Sequence, residues 1–209
     1  MYESCIKRLL DLILSLAACV VLAIPMGIIA LWIKKDSPGP VFFKQRRVGR
    51  GKKCFNILKF RTMRGDTPHD VPTHLLKNAD SYITKSGAFL RRTSLDELPQ
   101  IYNILKGDMS IVGPRPERPE LAAEIEKEIP EFCYRLKMKA GLTGYAQVYG
   151  KYNTTSYDKL KLDLTYIRNY SLLLDLKLIL MTPKIMMLKE STEGVADNGK
   201  ASDSRHPGV

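Results

Sequence analysis

The sequence predicts an α/β (mixed α+β) fold, mostly helical with a small β-hairpin, led by a membrane-inserted helix and finished by interfacial amphipathic helices. Three observations carry this. Leu12 to Ile33 is an apolar run, Val41 to Met63 alternates about a glycine-bearing turn, and Glu117 to Lys189 is largely helix-patterned. At 209 residues the chain accommodates one ordinary domain with an appendage. Thirty-three Lys and Arg against 22 Asp and Glu give a formal charge of +11, which favours anionic partners without choosing among nucleic acid, acidic lipid and phosphorylated metabolites.

The apolar run holds 22 residues with one polar side chain, Ser15. As a straight helix it extends about 33 Å, enough to cross a bilayer. Its length and the lack of a small-residue cleavage pattern before Lys34-Lys35 favour an anchor over a cleaved signal. Lys7-Arg8 precede it and Lys34-Lys35 follow it, so the positive-inside rule draws both ends toward the cytoplasm. Pro25 removes a backbone donor near the middle. A helix that enters, bends at the breakpoint Pro25 and returns satisfies both facts; a kinked transmembrane helix is the alternative, since such helices tolerate proline. The expected division is 1–35 membrane helix, 36–190 catalytic domain on the cytoplasmic face, and 191–209 disordered polar tail.

Asp36-Ser37-Pro38-Gly39-Pro40 is a rigid linker. VFFKQRRV, the turn GRGK and KCFNILKFRTM then predict a hairpin, with Lys59 and Arg61 two apart and so on one face. Two cations on a pleated surface suit a phosphate, although isolated charges on a strand are more often only solvated. Residues 64–86 are expected to form a loop with at most one short helical turn, and helix resumes around Asp96 through Leu105. In Gly113-Pro114-Arg115-Pro116 an arginine between prolines has little backbone freedom, which suits either a diphosphate grip or a structural corner. Pro130 divides the helical stretch 117–139. Ala140 to Asn153, with three glycines, has the composition of a loop that approaches a ligand closely. Asp158 to Tyr170 is helical, and Ser171 to Lys189 is either a core or an interfacial helix.

Four scattered cysteines (Cys5, Cys19, Cys54 and Cys133) form neither a metal pair nor a disulfide framework. His69, His74 and His206 fall in loop or tail sequence, too sparse for a zinc site or a serine triad. The remaining candidate chemistry lies in RRTSLDELPQ, Arg91 to Gln100. Ser94 and Glu97 match a capping box. That assignment makes Pro99 the fifth helical residue, where its missing N–H costs a hydrogen bond. A helix starting near Asp96 to Leu98 avoids this and leaves both carboxylates at a positive helix end beside Arg91 and Arg92. A carboxylate there either ligates Mg²⁺ bridging to a diphosphate or attacks phosphorus.

The order KFRTM, SLDELPQIYNILKGDMSIVGPRPE, GLTGYAQVYG and LDLTYIRNYSLLLDLK, behind an apolar segment, resembles the monotopic phosphoglycosyl transferases, the bacterial sugar transferase family that begins polyprenol-linked glycan, exopolysaccharide and capsule assembly. The resemblance covers about Lys7 to Glu193 and looks like the short, catalytic-domain-only form. It implies transfer of a sugar 1-phosphate from a UDP-sugar to polyprenol (undecaprenyl) phosphate, with release of UMP. It also implies that Asp96 is the nucleophile, forming a covalent aspartyl-phosphosugar, and that Glu97 is its partner for Mg²⁺ or the lipid phosphate. Arg115 then contacts nucleotide or phosphate, Lys59, Arg61 and Arg91 neutralise charge, and Gln147 with the 141–150 loop shapes the donor site. Implied surroundings are bacterial membrane lipid, the cytoplasmic (inner) membrane with the catalytic domain facing the cytoplasm, and a homodimer or other glycan-assembly enzymes as candidate partners. Two departures from the family pattern are Ile24 before Pro25, where the family's breakpoint is Ser-Pro, and Lys139-Ala140 where many members have Arg-Pro. Nucleic acid is not an expected partner, because residues 44–53 carry no aromatic stacking platform. A purely scaffolding role leaves the intact Asp-Glu pair without a purpose.

Overall fold

In the computed structural model, residues 5–67, 79–151 and 154–187 are described. The expected tail 191–209, the three histidines and the prolines Pro68 and Pro72 lie outside them. The longest element is α1, Lys7–Asp36, which carries the apolar run and Pro25 without interruption of its helical assignment. In its middle Val20, Val21, Ile24 and Ile28 are 62–77% exposed, whereas Lys7, Asp11 and Ser15 near one end and Ile29 and Ile33 near the other are buried. It is the one described helix long and apolar enough to cross a membrane.

The cationic start of α1 does not stand in solvent. Lys7 Nζ donates to Asp175 Oδ2 (2.5 Å) and to Tyr166 Oη (3.1 Å), and Arg8 donates to the carbonyls of Ile104 and Leu105. Asp11 Oδ1 accepts from Ser110 Oγ and the Ile111 amide. At the other end Asp36 Oδ2 accepts from the Ser86 amide (2.8 Å) and hydroxyl (2.7 Å). Both ends of α1 are therefore fastened to the same body, and the exposed apolar stretch lies between the fastenings.

The predicted hairpin is present as β1, Phe42–Val48, and β2, Cys54–Phe60, paired antiparallel from Phe42 opposite Phe60 to Val48 opposite Cys54. Its turn places Gly51 and Lys52 at φ 63° and 64°, a conformation that glycine adopts freely. Phe60 packs with Ile29, Ile33 and Leu90, and Ile57 packs with Ile104, Met109 and Ala140, so the hairpin joins α1 to the rest of the core. Hydrophobic burial of this kind is the main force that orders such elements.

After the hairpin come a 3₁₀ turn, Ala79–Tyr82, matching the one short helical turn expected within 64–86, and α2, Lys85–Arg92, which overlaps that stretch only at Lys85 and Ser86. Its start is set by Thr84, whose Oγ1 accepts from the Gly87 amide, a short-range cap that the polar composition of 64–86 masks. Next are α3, Gln100–Lys106, and β3, Met109–Val112. Asn103 ties α3 to β2 by accepting from the Leu58 amide and donating to the Asn56 carbonyl. Then follow α4, Pro119–Glu128, a 3₁₀ segment Pro130–Lys137, and β4, Ala140–Thr143.

β4 pairs in parallel with β3, and α5, Tyr145–Tyr149, follows at once. This corrects the expectation of a ligand-approaching loop over 140–153. Gly141 and Gly144 do permit close approach, but of the backbone of Gly113, which a Cβ at either position would strike. A four-residue parallel strand has a distant partner, so it leaves little local signal. The chain ends with α6, Ser156–Asn169, and α7, Leu172–Met187. On α7 Leu178 is fully buried while Leu173 and Leu180 are 79% and 78% exposed, so the helix has a core face and an open apolar face.

Candidate active site

Asp96 and Glu97 sit on a 3₁₀ turn, Leu95–Glu97, between α2 and α3. The capping-box expectation fails: Ser94 is left-handed (φ 54°), its side chain makes no cap bond, and the Glu97 amide donates instead to the Ser94 carbonyl. Pro99 is the N-cap of α3, where its missing donor costs nothing. The helix thus starts later than expected, at Gln100, and the carboxylates precede it. A non-glycine residue in the left-handed region costs on the order of 1 kcal/mol or more, and such strain gathers where side chains must be aimed. Here it aims two adjacent carboxylates into one cationic recess.

β2 supplies the first cation. Lys59 Nζ lies 2.7 Å from Glu97 Oε1 and 3.9 Å from Asp96 Oδ2. The loop after β3 supplies the second: Arg115 Nη2 is 2.9 Å from Glu97 Oε1 and Nη1 is 3.4 Å from Oε2. This is a two-point grip of guanidinium on carboxylate. Arg91, at the end of α2, donates Nε to Thr62 Oγ1 (2.9 Å), and its charge acts on Asp96. Side-chain exposures of 13% for Asp96 and 16% for Glu97 mean that both carboxylates are mostly withdrawn from water.

The two acids are driven apart. Burial raises Asp96, Glu97 beside it adds to the rise, and Lys59, Arg91 and Arg115 only partly oppose it. Burial would raise Glu97 too, but the charges and hydrogen bonds of Arg115 and Lys59 outweigh it and hold this carboxyl well below the usual range. Glu97 is therefore the fixed anion on which the cations are assembled. Among the described residues Asp96 has one ion-pair partner, Lys59, at the limit of ion-pair distance, and so is the less constrained of the two carboxylates.

Arg61 is elsewhere. It lies one residue beyond β2, 6% exposed, and donates to the carbonyls of Pro38 (2.5 Å) and Ser37 (2.7 Å) at the end of α1. The shared face with Lys59 ends with the strand, and Arg61 holds the C-terminal end of α1. Gln147, on α5, donates Nε2 to the Leu142 carbonyl (3.1 Å) within the β4–α5 turn, while its buried Oε1 has no hydrogen-bond partner among the described residues. The structure brings together Lys59, Asp96, Glu97 and Arg115, with Arg91 at the edge, and leaves Arg61 and Gln147 outside that contact set.

Sequence reasoning missed the residues that hold Arg115. The carbonyls of Pro114, Arg115, Pro116 and Glu117 accept in turn from the Gly141 amide, Arg135 Nη2, Arg47 Nη1 and the Val48 amide. No local pattern marks Arg47 or Arg135, because each reaches the loop from a distant element.

No group of three or more His, Cys, Asp or Glu suited to a metal occurs among the described residues. Both oxygens of Glu97 are engaged by Arg115 and Lys59, so of the two carboxylates expected to hold a metal Asp96 is the less encumbered. Magnesium commonly uses one or two protein carboxylates together with substrate phosphates, and Asp96 with a diphosphate suits that mode.

Comparison with known proteins places these features in a wider group. Residues 2–189 match the family model described as "Bacterial sugar transferase". A protein of Xanthomonas campestris pv. campestris named UDP-glucose:undecaprenyl-phosphate glucose-1-phosphate transferase is 45% identical over 181 residues, covering 84% of this chain and 37% of that protein. An Aeromonas hydrophila protein named UDP-N-acetylgalactosamine-undecaprenyl-phosphate N-acetylgalactosaminephosphotransferase is 38% identical over 186 residues, covering 87% of this chain and 44% of its own length. The chain thus spans less than half of these two relatives. An exopolysaccharide production protein, PSS, of Rhizobium leguminosarum bv. phaseoli is 41% identical over 199 residues, covering 90% of this chain and 96% of that protein.

Proposed function

The chain belongs to the bacterial sugar transferase family, and from that premise we propose that it is a phosphoglycosyl transferase moving a sugar 1-phosphate from a UDP-sugar to polyprenol phosphate in the cytoplasmic membrane. The observation that carries the proposal is the contrast within the Asp-Glu pair: Glu97 is clamped by Lys59 and Arg115, while Asp96 stands beside that clamp with, among the described residues, a single loose ion-pair partner.

In the first step an Asp96 carboxylate oxygen attacks the sugar-linked phosphorus of the donor. The bond from that phosphorus to the bridging oxygen breaks, and the electron pair leaves on UMP. In the second step an oxygen of polyprenol phosphate attacks the same phosphorus, breaks its bond to Asp96, and restores the carboxylate with formation of polyprenol-diphosphate-sugar. Lys59, Arg115 and Arg91 stabilise the charge that develops on the phosphoryl oxygens, and the low exposure of the recess strengthens that effect. Three cations against two carboxylates leave one net positive charge, too little for a diphosphate. Mg²⁺ held through Asp96 and the diphosphate would supply the remaining neutralisation.

The position of α1 supports a re-entrant membrane mode. A spanning helix carries its two ends to opposite sides of about 30 Å of hydrocarbon. Here Lys7, Arg8 and Asp11 at one end and Asp36 at the other all bond the catalytic body, and the exposed apolar residues lie on either side of Pro25. Entry and return through one face, the cytoplasmic one, satisfies both. It sets the recess beside the leaflet in which a polyprenol phosphate resides. The relatives' names specify different sugars, glucose and N-acetylgalactosamine.

The test is UMP release from a panel of UDP-sugars with undecaprenyl phosphate and Mg²⁺. Wild type is expected to turn over at least one donor, and Asp96→Asn to lose at least about 1000-fold, since it removes the nucleophile. Mass spectrometry of wild type given donor without acceptor is expected to show a phosphosugar adduct on Asp96. Turnover by Asp96→Asn at the wild-type rate would end the nucleophile assignment.

A further inference from the structure

Arg115 is only as well placed as the loop that carries it. Flanking prolines restrict its neighbours, but the segment Gly113–Pro116 can still tilt as a unit unless its backbone is held. Two of the four groups that hold the loop's carbonyls are guanidinium side chains rather than backbone amides, that of the half-buried Arg47 and that of the buried Arg135. Arg135, 4% exposed on the 3₁₀ segment Pro130–Lys137, places Nη2 2.9 Å from the Arg115 carbonyl. The same guanidinium pairs with Asp163 of α6, at 2.9 Å from Nε and 2.7 Å from Nη2 to Oδ2, and lies 4.5 Å from the centre of the Phe132 ring. Asp163 is itself 1% exposed.

A buried ion pair of this kind brings little net stability, because both charges are stripped of water. What it supplies is direction. Asp163 fixes the guanidinium plane on one side, Glu117 Oε1 lies 3.7 Å from Nη1, and among the described residues the backbone that the plane grips is the peptide after Arg115. A small rotation of that peptide is multiplied along the arginine side chain into a displacement on the order of 1 Å, enough to cost about 100-fold in rate.

We propose that Arg135, oriented by Asp163, is a positioning residue that sets Arg115 against Glu97 and so fixes the phosphate-binding side of the recess. This rests on the phosphoglycosyl transferase reading of the site. It assigns a function to two residues on elements remote from the carboxylates, neither of which touches the reacting atoms.

The experiment is a double-mutant cycle on the full chain in detergent, with Arg135→Lys, Arg115→Ala and their combination. UMP release, UDP affinity by titration calorimetry, and melting temperature are measured for each. Lysine keeps the charge but cannot hold Asp163 and the carbonyl in one plane. Arg135→Lys alone is expected to lower kcat/KM about 10- to 100-fold, as loss of a supporting contact does, and to weaken UDP binding. In the Arg115→Ala background the same change is expected to cost less than about twofold in either measure, because the residue it acts through is gone. Equal losses in both backgrounds would overturn the proposal and leave Arg135 a structural residue. Should Arg135→Lys not fold, Asp163→Asn, which keeps the side chain's shape, takes its place in the cycle. A wild type that releases no UMP from any donor defeats the proposed function; the cycle in UDP affinity then still decides the positioning role, by non-additivity for it and additivity against it.

Discussion

Two chemically similar carboxylates, one residue apart, have opposite environments. Glu97 is held by Arg115 and Lys59 well below the ordinary glutamate range, whereas burial leaves Asp96 raised. Glu97→Gln keeps the shape and removes the charge that organises both cations; UMP release is expected to fall at least about 100-fold, with kcat affected more than KM. The pH dependence follows from the sign of the shift. A carboxyl depressed in the fold contributes stability at pH values above its unfolded pKa, about 4.3 for glutamate, and loses it as pH falls through the folded value. The melting-temperature difference between wild type and Glu97→Gln should therefore stay constant from pH 8 to about 5 and shrink only in stronger acid. A difference that vanished already near pH 6 would show that the clamp does not hold Glu97 charged.

At the scale of elements, the site depends on the short parallel pair β3–β4, which carries Gly113 and Arg115 at its end. Gly141 has room for no side chain: a Cβ there would strike the Gly113 backbone and the Thr143 carbonyl. Gly141→Ala must push the strands apart, at a cost of about 1–3 kcal/mol or more as in other overpacked interiors. Thermal melting should show the loss, and UMP release should fall with it, because the displaced strand carries the Arg115 loop. α2 has the same property, since a Cβ at Gly87 would meet the Thr62 backbone. Most elements were legible from pattern: the hairpin, the break at Pro130 and the helices 158–170 and 171–189 all have counterparts in the structure. β4 and α2 were not. The first is stabilised by a partner some 30 positions away in sequence, and the second is too short to show a periodic signal.

For the molecule as a whole, the fastening of both ends of α1 to one body makes a topological prediction. Cys5, before the helix, and Cys54, in the hairpin after it, are both exposed. In oriented membrane vesicles a membrane-impermeant maleimide should label both from the same face, read by peptide mass spectrometry. Labelling from opposite faces would establish a spanning helix instead. Removal of Mg²⁺ by chelation should abolish UMP release and restore it on readdition, while leaving the melting temperature nearly unchanged, since the fastening contacts of the described body are made between its own side chains and backbone.

The sequence by itself determined the apolar N-terminal helix, the hairpin and the adjacency of Asp96 to Glu97, because each is written in a short window whose period, composition or spacing has a direct physical reading. Tertiary structure alone decided the rest. It turned Ser94 from a cap into a left-handed pivot, diverted Arg61 from the recess to the carbonyls at the end of α1, and gave Lys7 to Asp175 instead of to the membrane surface. It also brought Arg135 and Asp163 behind Arg115. The physical reason is reach. A long cationic side chain goes to the buried carbonyl or carboxylate that most needs a partner, and which one lies near is set by packing between segments far apart in the chain.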